Sequence, residues 1–368
     1  MDNKLPSWIE NIFIPMLNLF IAFCVSAMVF LWISIDPIDA VQVIIAGALG
    51  EQEYIGYTLY YTTNFIFTGI AVAIAFYGGL FNIGGEGQAY IGGLGIGLVC
   101  LAFDHILPSY ILLPLAMIVG MLFGALWAFI PGVLQAYRDS HIVITTIMFN
   151  FISSSLMVYL MVYVLKAKQT MSPVSRYFEE SAFLPTFSDF LALFGIHFSP
   201  SPLNISFLIA ILLLLLFWLF LYKSRWGYAI RTIGMNPQAA EYAGINRKKM
   251  TVYVMLLSGA CAGLLGMNEI AGFSHQIRLD FVAGYGFTGI AVALIGKNHP
   301  IGIFLSALLF GVLYQGGNEL VFFDIDREMV VVIQALIVLF AGAFSYMTVK
   351  PVTKLYFYFF SKLNNKPT

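Results

Sequence analysis

Four stretches of this chain, Ile12–Ile35, Ser109–Ile130, Ile142–Leu165 and Leu203–Tyr222, carry no charged residue. Each is about 20 residues or longer, the length at which a helix rising 1.5 Å per residue crosses a hydrocarbon core of about 30 Å. One such run can be the buried helix of a soluble protein; four in one chain cannot. The composition agrees, with 60% of residues hydrophobic and 10% charged, against about 25% charged in an ordinary soluble domain. Hydrocarbon offers no water to backbone groups, so runs of this length must be helical. The sequence therefore predicts an all-α, polytopic integral membrane protein. About ten segments are expected, at 12–35, 58–77, 88–103, 109–130, 142–165, 203–222, 251–272, 287–296, 301–317 and 329–349, the third and eighth being short.

Charges between the segments set the orientation, because Lys and Arg are retained on the cytoplasmic side. Residues 223–249 carry Lys223, Arg225, Arg231, Arg247, Lys248 and Lys249 against Glu241, and the tail carries Lys350, Lys354, Lys362 and Lys366. Residues 36–56 carry Asp36, Asp39, Glu51 and Glu53 with no base. This pattern places both termini and 223–249 inside, and the largest loop, 166–202, outside. Residues 1–368 read as one membrane domain with no soluble domain attached. Ile12–Ile35 is too long for a signal-peptide core and lacks a small-residue cleavage pattern, so it reads as a retained span.

Several function classes drop out. Cys24, Cys100 and Cys261 lie in apolar runs without metal spacing, and His105, His141, His197, His275 and His299 form no ligand cluster. No nucleophile triad or Walker phosphate loop occurs, which excludes an enzyme of those kinds and assigns any ATP use to another chain. A net charge of −1 does not suggest nucleic acid. Small residues at small-xxx-small spacing (Ala89, Gly93 and Gly97; Gly120 and Gly124; Gly259 and Gly263) predict close helix packing. The heptapeptide Phe67-Thr-Gly-Ile-Ala-Val-Ala73 recurs as Phe287-Thr-Gly-Ile-Ala-Val-Ala293, as internal repeats of transporters do.

Two stretches carry the chemistry. Gly78-Gly-Leu-Phe-Asn-Ile-Gly-Gly-Glu-Gly-Gln88 holds five glycines, each costing a helix about 1 kcal/mol relative to alanine. The expected result is broken backbone, either buried at membrane depth or in a cytoplasmic turn. Glu86 and Glu269 are the acids set in or against apolar segments, where a carboxylate marks a pathway; Glu269 fits the outer headgroup level as well. Asn82, Gln88, Asn150 and Asn268 add hydrogen-bonding capacity, as pathway lining or as glue between helices. In the basic loop, Asn236 suits a helix cap, Pro237 its first position and Gly244 the residue past its end. That predicts a two-turn helix whose face of Ala239, Ala240 and Ala243 docks in another protein's groove or lies at the lipid surface.

With these residues identified, a resemblance can be stated. Phe81-Asn-Ile-Gly-Gly-Glu-Gly-Gln88, Asn236-Pro-Gln-Ala-Ala-Glu-Tyr-Ala-Gly244 and Gly284-Tyr-Gly-Phe-Thr-Gly-Ile-Ala-Val-Ala-Leu-Ile-Gly-Lys-Asn-His-Pro300 resemble the permease subunits of ABC importers for branched-chain amino acids, ribose-type sugars and nucleosides. The resemblance runs from roughly residue 60 to 345, and the FNIGGEGQ form looks like the nucleoside branch. It implies a non-enzymatic permease of a bacterial inner membrane, with Asn82, Glu86, Gln88, Asn150, Asn268 and Glu269 as pathway candidates. It also implies that Asn236, Pro237, Ala239, Ala240, Tyr242, Ala243 and Gly244 form the coupling helix. The implied partners are an ABC ATPase that uses ATP and Mg, a second permease, an extracytoplasmic solute-binding protein and membrane lipid, with no cofactor in this chain. Asp139-Ser-His-Ile-Val143 departs from the family's commoner Asn/His-Glu-Val form, so no role is carried to His141. A ribose-like sugar permease and an ion-coupled carrier using Glu86 or Glu269 are the competing expectations. The scarcity of cations in the apolar segments argues against phosphorylated solutes, which want an Arg or Lys clamp.

Overall fold

A computed structural model describes residues 13–32, 36–168 and 170–321 continuously, with Pro6, Ile9 and scattered positions from 331 to 357. It forms two compact units, one built from residues up to Gly47 and from Gly316 onward, the other from Ala48–Gln315. The first contains α1 (Ile14–Trp32) and most of α2 (Pro37–Leu49). Asp36 was expected to begin an acidic loop over 36–56; instead its Oδ1 accepts the Ile38 N–H at 2.8 Å and opens α2. Asp39 follows in the first turn, where an acid suits the helix dipole, and the run to Leu49 holds no further charge. Asn18 on α1 accepts a 2.9 Å hydrogen bond from Thr348. Of the expected segment at 329–349 only scattered positions are described, 331, 332, 335, 336, 339, 348 and 349, all helical.

The second unit contains α3 (Gln52–Tyr77), α4 (Gly85–Phe103), α5 (Ser109–Arg138), α6 (Ile142–Tyr163), the short α7 (Phe187–Ala192) and α8 (Ser206–Lys223). It continues with α9 (Arg225–Met235), α10 (Pro237–Tyr242), α11 (Arg247–Gly263), a π-helical turn over Met267–Ser274, α12 (Tyr285–Ile295) and most of α13 (Pro300–Leu320). Among the described residues seven helices are long and apolar enough to cross a bilayer, and α1 with α2, bent by 114°, supplies at most an eighth. The expected eighth segment, 287–296, is α12, whose 11 residues reach only about 16 Å and cannot span alone. Helix α5 runs past the expected end at 130. Pro131 lies inside it, a tolerated position because neighbouring helices and local adjustment compensate for the missing N–H.

Helices α3, α4 and α11 form the centre, with 83%, 72% and 67% of their apolar windows buried, against 28% for each of α5, α6 and α8. The small-residue spacing explains the packing. A Cβ on Gly124 would strike the Gly259 carbonyl, and one on Gly263 the Gly120 carbonyl, so α5 and α11 meet backbone to backbone. The repeated heptapeptides also lie together. A Cβ on Gly69 would come 2.9 Å from Val292, and one on Gly289 2.5 Å from Thr68, so α12 runs alongside α3 in the same direction.

Candidate functional site

The glycine-rich stretch breaks the helix as expected, and the protein supplies the hydrogen bonds that the broken backbone lacks. After α3 the chain turns at Gly79, in the left-handed region at φ +71°, and runs back between helices as irregular backbone over 80–83. Asn82 Oδ1 accepts the Gly84 N–H at 2.9 Å, while Asn82 Nδ2 donates to Gln88 Oε1 at 3.0 Å and Ser258 Oγ at 2.8 Å. Gln88 Nε2 donates to Asn82 Oδ1 at 3.2 Å. Asn150 on α6 closes the brace, donating to the Ile83 carbonyl at 3.0 Å and accepting from the Gly87 N–H at 2.9 Å. All three amides are buried, where an unmade hydrogen bond would cost about 1–3 kcal/mol. Their hydrogen bonds within the protein make them braces of the backbone.

Glu86 stands where two helix N-termini meet. Tyr285, the first residue of α12, packs on Phe65 of α3 with ring centroids 5.5 Å apart. Phe65 lies about 18 Å along the helix from Tyr77 at the end of α3. The other end of α12 approaches that same end of α3, because His299 packs near Tyr222, and Tyr222 hydrogen-bonds Tyr77 at 2.8 Å. The α4 N-terminus meets α12 at depth: a Cβ on Gly286 would lie 2.7 Å from Glu86 Oε2 and closer still to the Glu86 backbone. The half-buried Glu86 carboxylate sits in the first turn of α4 and accepts the Gly284 N–H at 2.9 Å and the Gly286 N–H at 2.7 Å. A carboxylate is suited to the free N–H groups and positive dipole of a helix start. The approach to α12 is strained at Asp280 and Ala283, both at positive φ, and Gly284 follows at φ +81° without that cost. Around it stand Tyr61, Tyr314 and Tyr285, their rings 4.7–6.4 Å apart.

Asn268 and Glu269 belong to a separate cluster in the π-helical turn. Glu269 is 1% exposed, so its carboxylate is enclosed by the protein. It accepts from Tyr60 at 2.5 Å, Asn64 at 2.7 Å and Arg278 at 3.5 Å. Asn268 donates to Asn64 Oδ1 at 2.9 Å and to the Tyr60 carbonyl at 3.1 Å, and accepts from Asn204 at 2.9 Å. Sequence reasoning missed Tyr60, Asn64, Asn204 and Arg278. Tyr60 and Asn64 sit four apart in an apolar helix, a spacing that puts both on one face and was a readable signal.

At the end of the unit bearing Tyr77, α10 has the expected form. Asn236 Oδ1 accepts the Ala239 N–H at 3.0 Å, Pro237 is the first helical residue, and Gly244 follows the helix at φ +79°. Its outward face differs from the expected one. Ala240 is fully buried while Ala239, Ala243 and Tyr242 are exposed, Tyr242 by 96%, because Ala240 is the position that seats the helix on its own protein. Beside it a cleft of about 200 Å³ is lined by Gly79, Gln135, Asp139, Gly234, Glu241 and Arg247, among others. At the opposite end the 166–202 loop is pinned by Arg176, which donates to both Asp104 oxygens at 2.7 and 2.8 Å. Burial alone would raise the Asp104 carboxyl, but Arg176 and the Glu179 N–H outweigh it and hold it below the usual carboxylate range.

Comparison with known proteins gives concordant matches. A family described as "Branched-chain amino acid transport system / permease component" matches residues 54–342. The chain is 35% identical over 341 residues to the guanosine ABC transporter permease protein NupP of Bacillus subtilis, covering 91% of this chain and 94% of that protein. It is 34% identical over 357 residues to the nucleoside ABC transporter permease protein NupB of Lactococcus lactis, covering 92% of each. It is 33% identical over 338 residues to the glucose ABC transporter permease protein TsgB13 of Haloferax volcanii, covering 91% of this chain and 88% of that protein. No solved structure matches.

Proposed function

The chain belongs to the family of branched-chain amino acid transport system permease components, and from that membership we propose that it is the permease of an ATP-driven importer of nucleosides. The observation that carries the solute assignment is the near full-length similarity to two permeases named for guanosine and nucleosides. The chain is a transport subunit and not itself an enzyme; ATP and Mg act in a partner ATPase. A second permease and an extracytoplasmic binding protein complete the complex in the bacterial inner membrane. Lys223, Arg225, Arg231, Arg247, Lys248 and Lys249 cluster around α9 and α10, which supports a cytoplasmic position for that end. The exposed Tyr242, with Ala239, Ala243 and Gly244, receives the ATPase, and Asn236, Pro237 and Ala240 hold the helix in place.

In this reading solute passes the crossing of α4 and α12, where the partly buried Glu86 and the tyrosine cluster offer a carboxylate and flat rings to sugar hydroxyls and a base. Asn82, Gln88 and Asn150 shape that route through the backbone they hold, and Asn268 and Glu269 through the side chains of α3 that they fix. The test is uptake in cells lacking the gene, which lose ATP-dependent import of labelled uridine, adenosine or guanosine. The similarity to a glucose permease favours a neutral sugar as the second reading. Retained nucleoside uptake with loss of a free sugar would establish that reading and remove the first.

A further inference from the structure

A displacement of the coupling helix does work only if it reaches the crossing of α4 and α12, deep in the unit. The inference here rests on the coupling-helix reading of residues 236–244 and concerns the route by which that displacement travels. Gly234 lies in the last turn of α9, two residues before the Asn236 cap of α10. A Cβ on Gly234 would collide with the Tyr77 carbonyl oxygen and lie 3.0 Å from the Gly79 nitrogen. A Cβ on Gly79 would lie 3.2 Å from the Gly234 Cα. Main chain therefore rests on main chain, with no side chain between them to bend.

From Gly79 the path stays stiff. Three residues on, Asn82 is tied to Gln88 and Ser258, and Ser258 donates to the Ala71 carbonyl at 2.6 Å. Asn150 clamps Ile83 and Gly87 on either side of Glu86, and Glu86 holds the first N–H groups of α12. Close-packed interiors have low compressibility and pass strain on. At the far end α12 lies against α3 through Gly69 and Gly289, a small-residue seam along which it can shift as one body. We infer that the Gly79–Gly234 contact is where movement of the coupling segment enters the membrane part of the chain, and that Glu86 carries it across to α12.

The test uses the purified importer with its ATPase, partner permease and binding protein in proteoliposomes, with labelled uridine as solute and both uptake and ATP hydrolysis measured per assembled complex. Gly79→Asn suits the left-handed backbone and pushes Gly234 away by a few tenths of an ångström; Gly79→Asp makes the same displacement if the amide variant does not assemble. Hydrolysis stays within about twofold of the parent while uptake per ATP falls about tenfold. Gly79→Asn combined with Glu86→Gln is no worse than the more damaging single variant, because both interrupt one path. Losses that multiply overturn the route. Tyr242→Asp separates the two readings. If it uncouples uptake while Gly79→Asn leaves uptake per ATP unchanged, the route is wrong and the coupling helix stands. If Tyr242→Asp also leaves uptake per ATP unchanged, the coupling reading fails and the route fails with it.

Discussion

Replacing Glu86 with alanine is the most direct perturbation of the crossing between α4 and α12. The carboxylate accepts two backbone N–H bonds, at 2.9 Å from Gly284 and 2.7 Å from Gly286. A hydrogen bond to a charged group contributes about 1.5–3 kcal/mol, so the pair is worth about 3–6 kcal/mol before solvent is considered. Glu86 is only half-buried, and water replaces part of what is lost, leaving about 3 kcal/mol. At 1.4 kcal/mol per factor of ten, the equilibrium constant for holding α12 in place falls on the order of a hundredfold. Glu86→Gln keeps one uncharged acceptor and should lose about tenfold. The assay is uridine uptake in proteoliposomes with membrane abundance measured in parallel. Wild-type uptake by Glu86→Ala at normal abundance would show that α12 does not need this anchor.

Cysteines introduced at Glu179 and Arg247 in a cysteine-free background should label from outside only at 179; labelling at 247 in intact cells refutes the proposed orientation. Tyr242→Asp should leave abundance unchanged and uncouple ATP hydrolysis from uptake, whereas Ala240→Trp, at a buried position, should lower abundance by destabilising the α10 seat by about 1–3 kcal/mol; equal abundance of the two variants contradicts this placement. Asp104 has a depressed carboxyl, so its contribution to holding the 166–202 loop is complete above about pH 4 and lost as acid protonates it below the ordinary range. Proteolysis of that loop should therefore rise on acidification below that range, and Asp104→Asn should cleave readily at neutral pH already; a pH-independent wild type would show that the pair with Arg176 does not pin the loop.

What the sequence revealed depended on how locally each feature is encoded. The spans are written in uncharged runs, and the α10 cap in Asn236, Pro237 and Gly244, all within nine positions. Helix ends were harder: Glu51 and Glu53 hid the start of α3 at Gln52, and Pro131 suggested a stop where α5 continues to Arg138. Glu86 was singled out as an isolated acid, yet its partners Gly284 and Gly286 lie about 200 residues on and bind through N–H groups that every residue type carries. Likewise Glu269 was visible, but its neighbours Tyr60 and Asn64 come from the far side of the chain. Ala240 looked like its neighbours Ala239 and Ala243 in composition, and only packing distinguishes the one that faces inward.

The brace around the broken backbone has one further consequence, for the electrical tightness of the membrane. Between Glu86 and the charged cleft that holds Asp139 and Glu241, the linking side chains are Asn82, Gln88, Asn150 and Ser258. Three amides and a hydroxyl that donates to a backbone carbonyl carry no group that ionises at physiological pH. A row of carboxylates or imidazoles in their place would be a ready proton wire of the kind pumps use. An importer driven by ATP gains nothing from such a wire and would dissipate the cell's proton gradient through it. Holding the broken backbone with amides braces it without placing an ionisable side chain between Glu86 and that cleft.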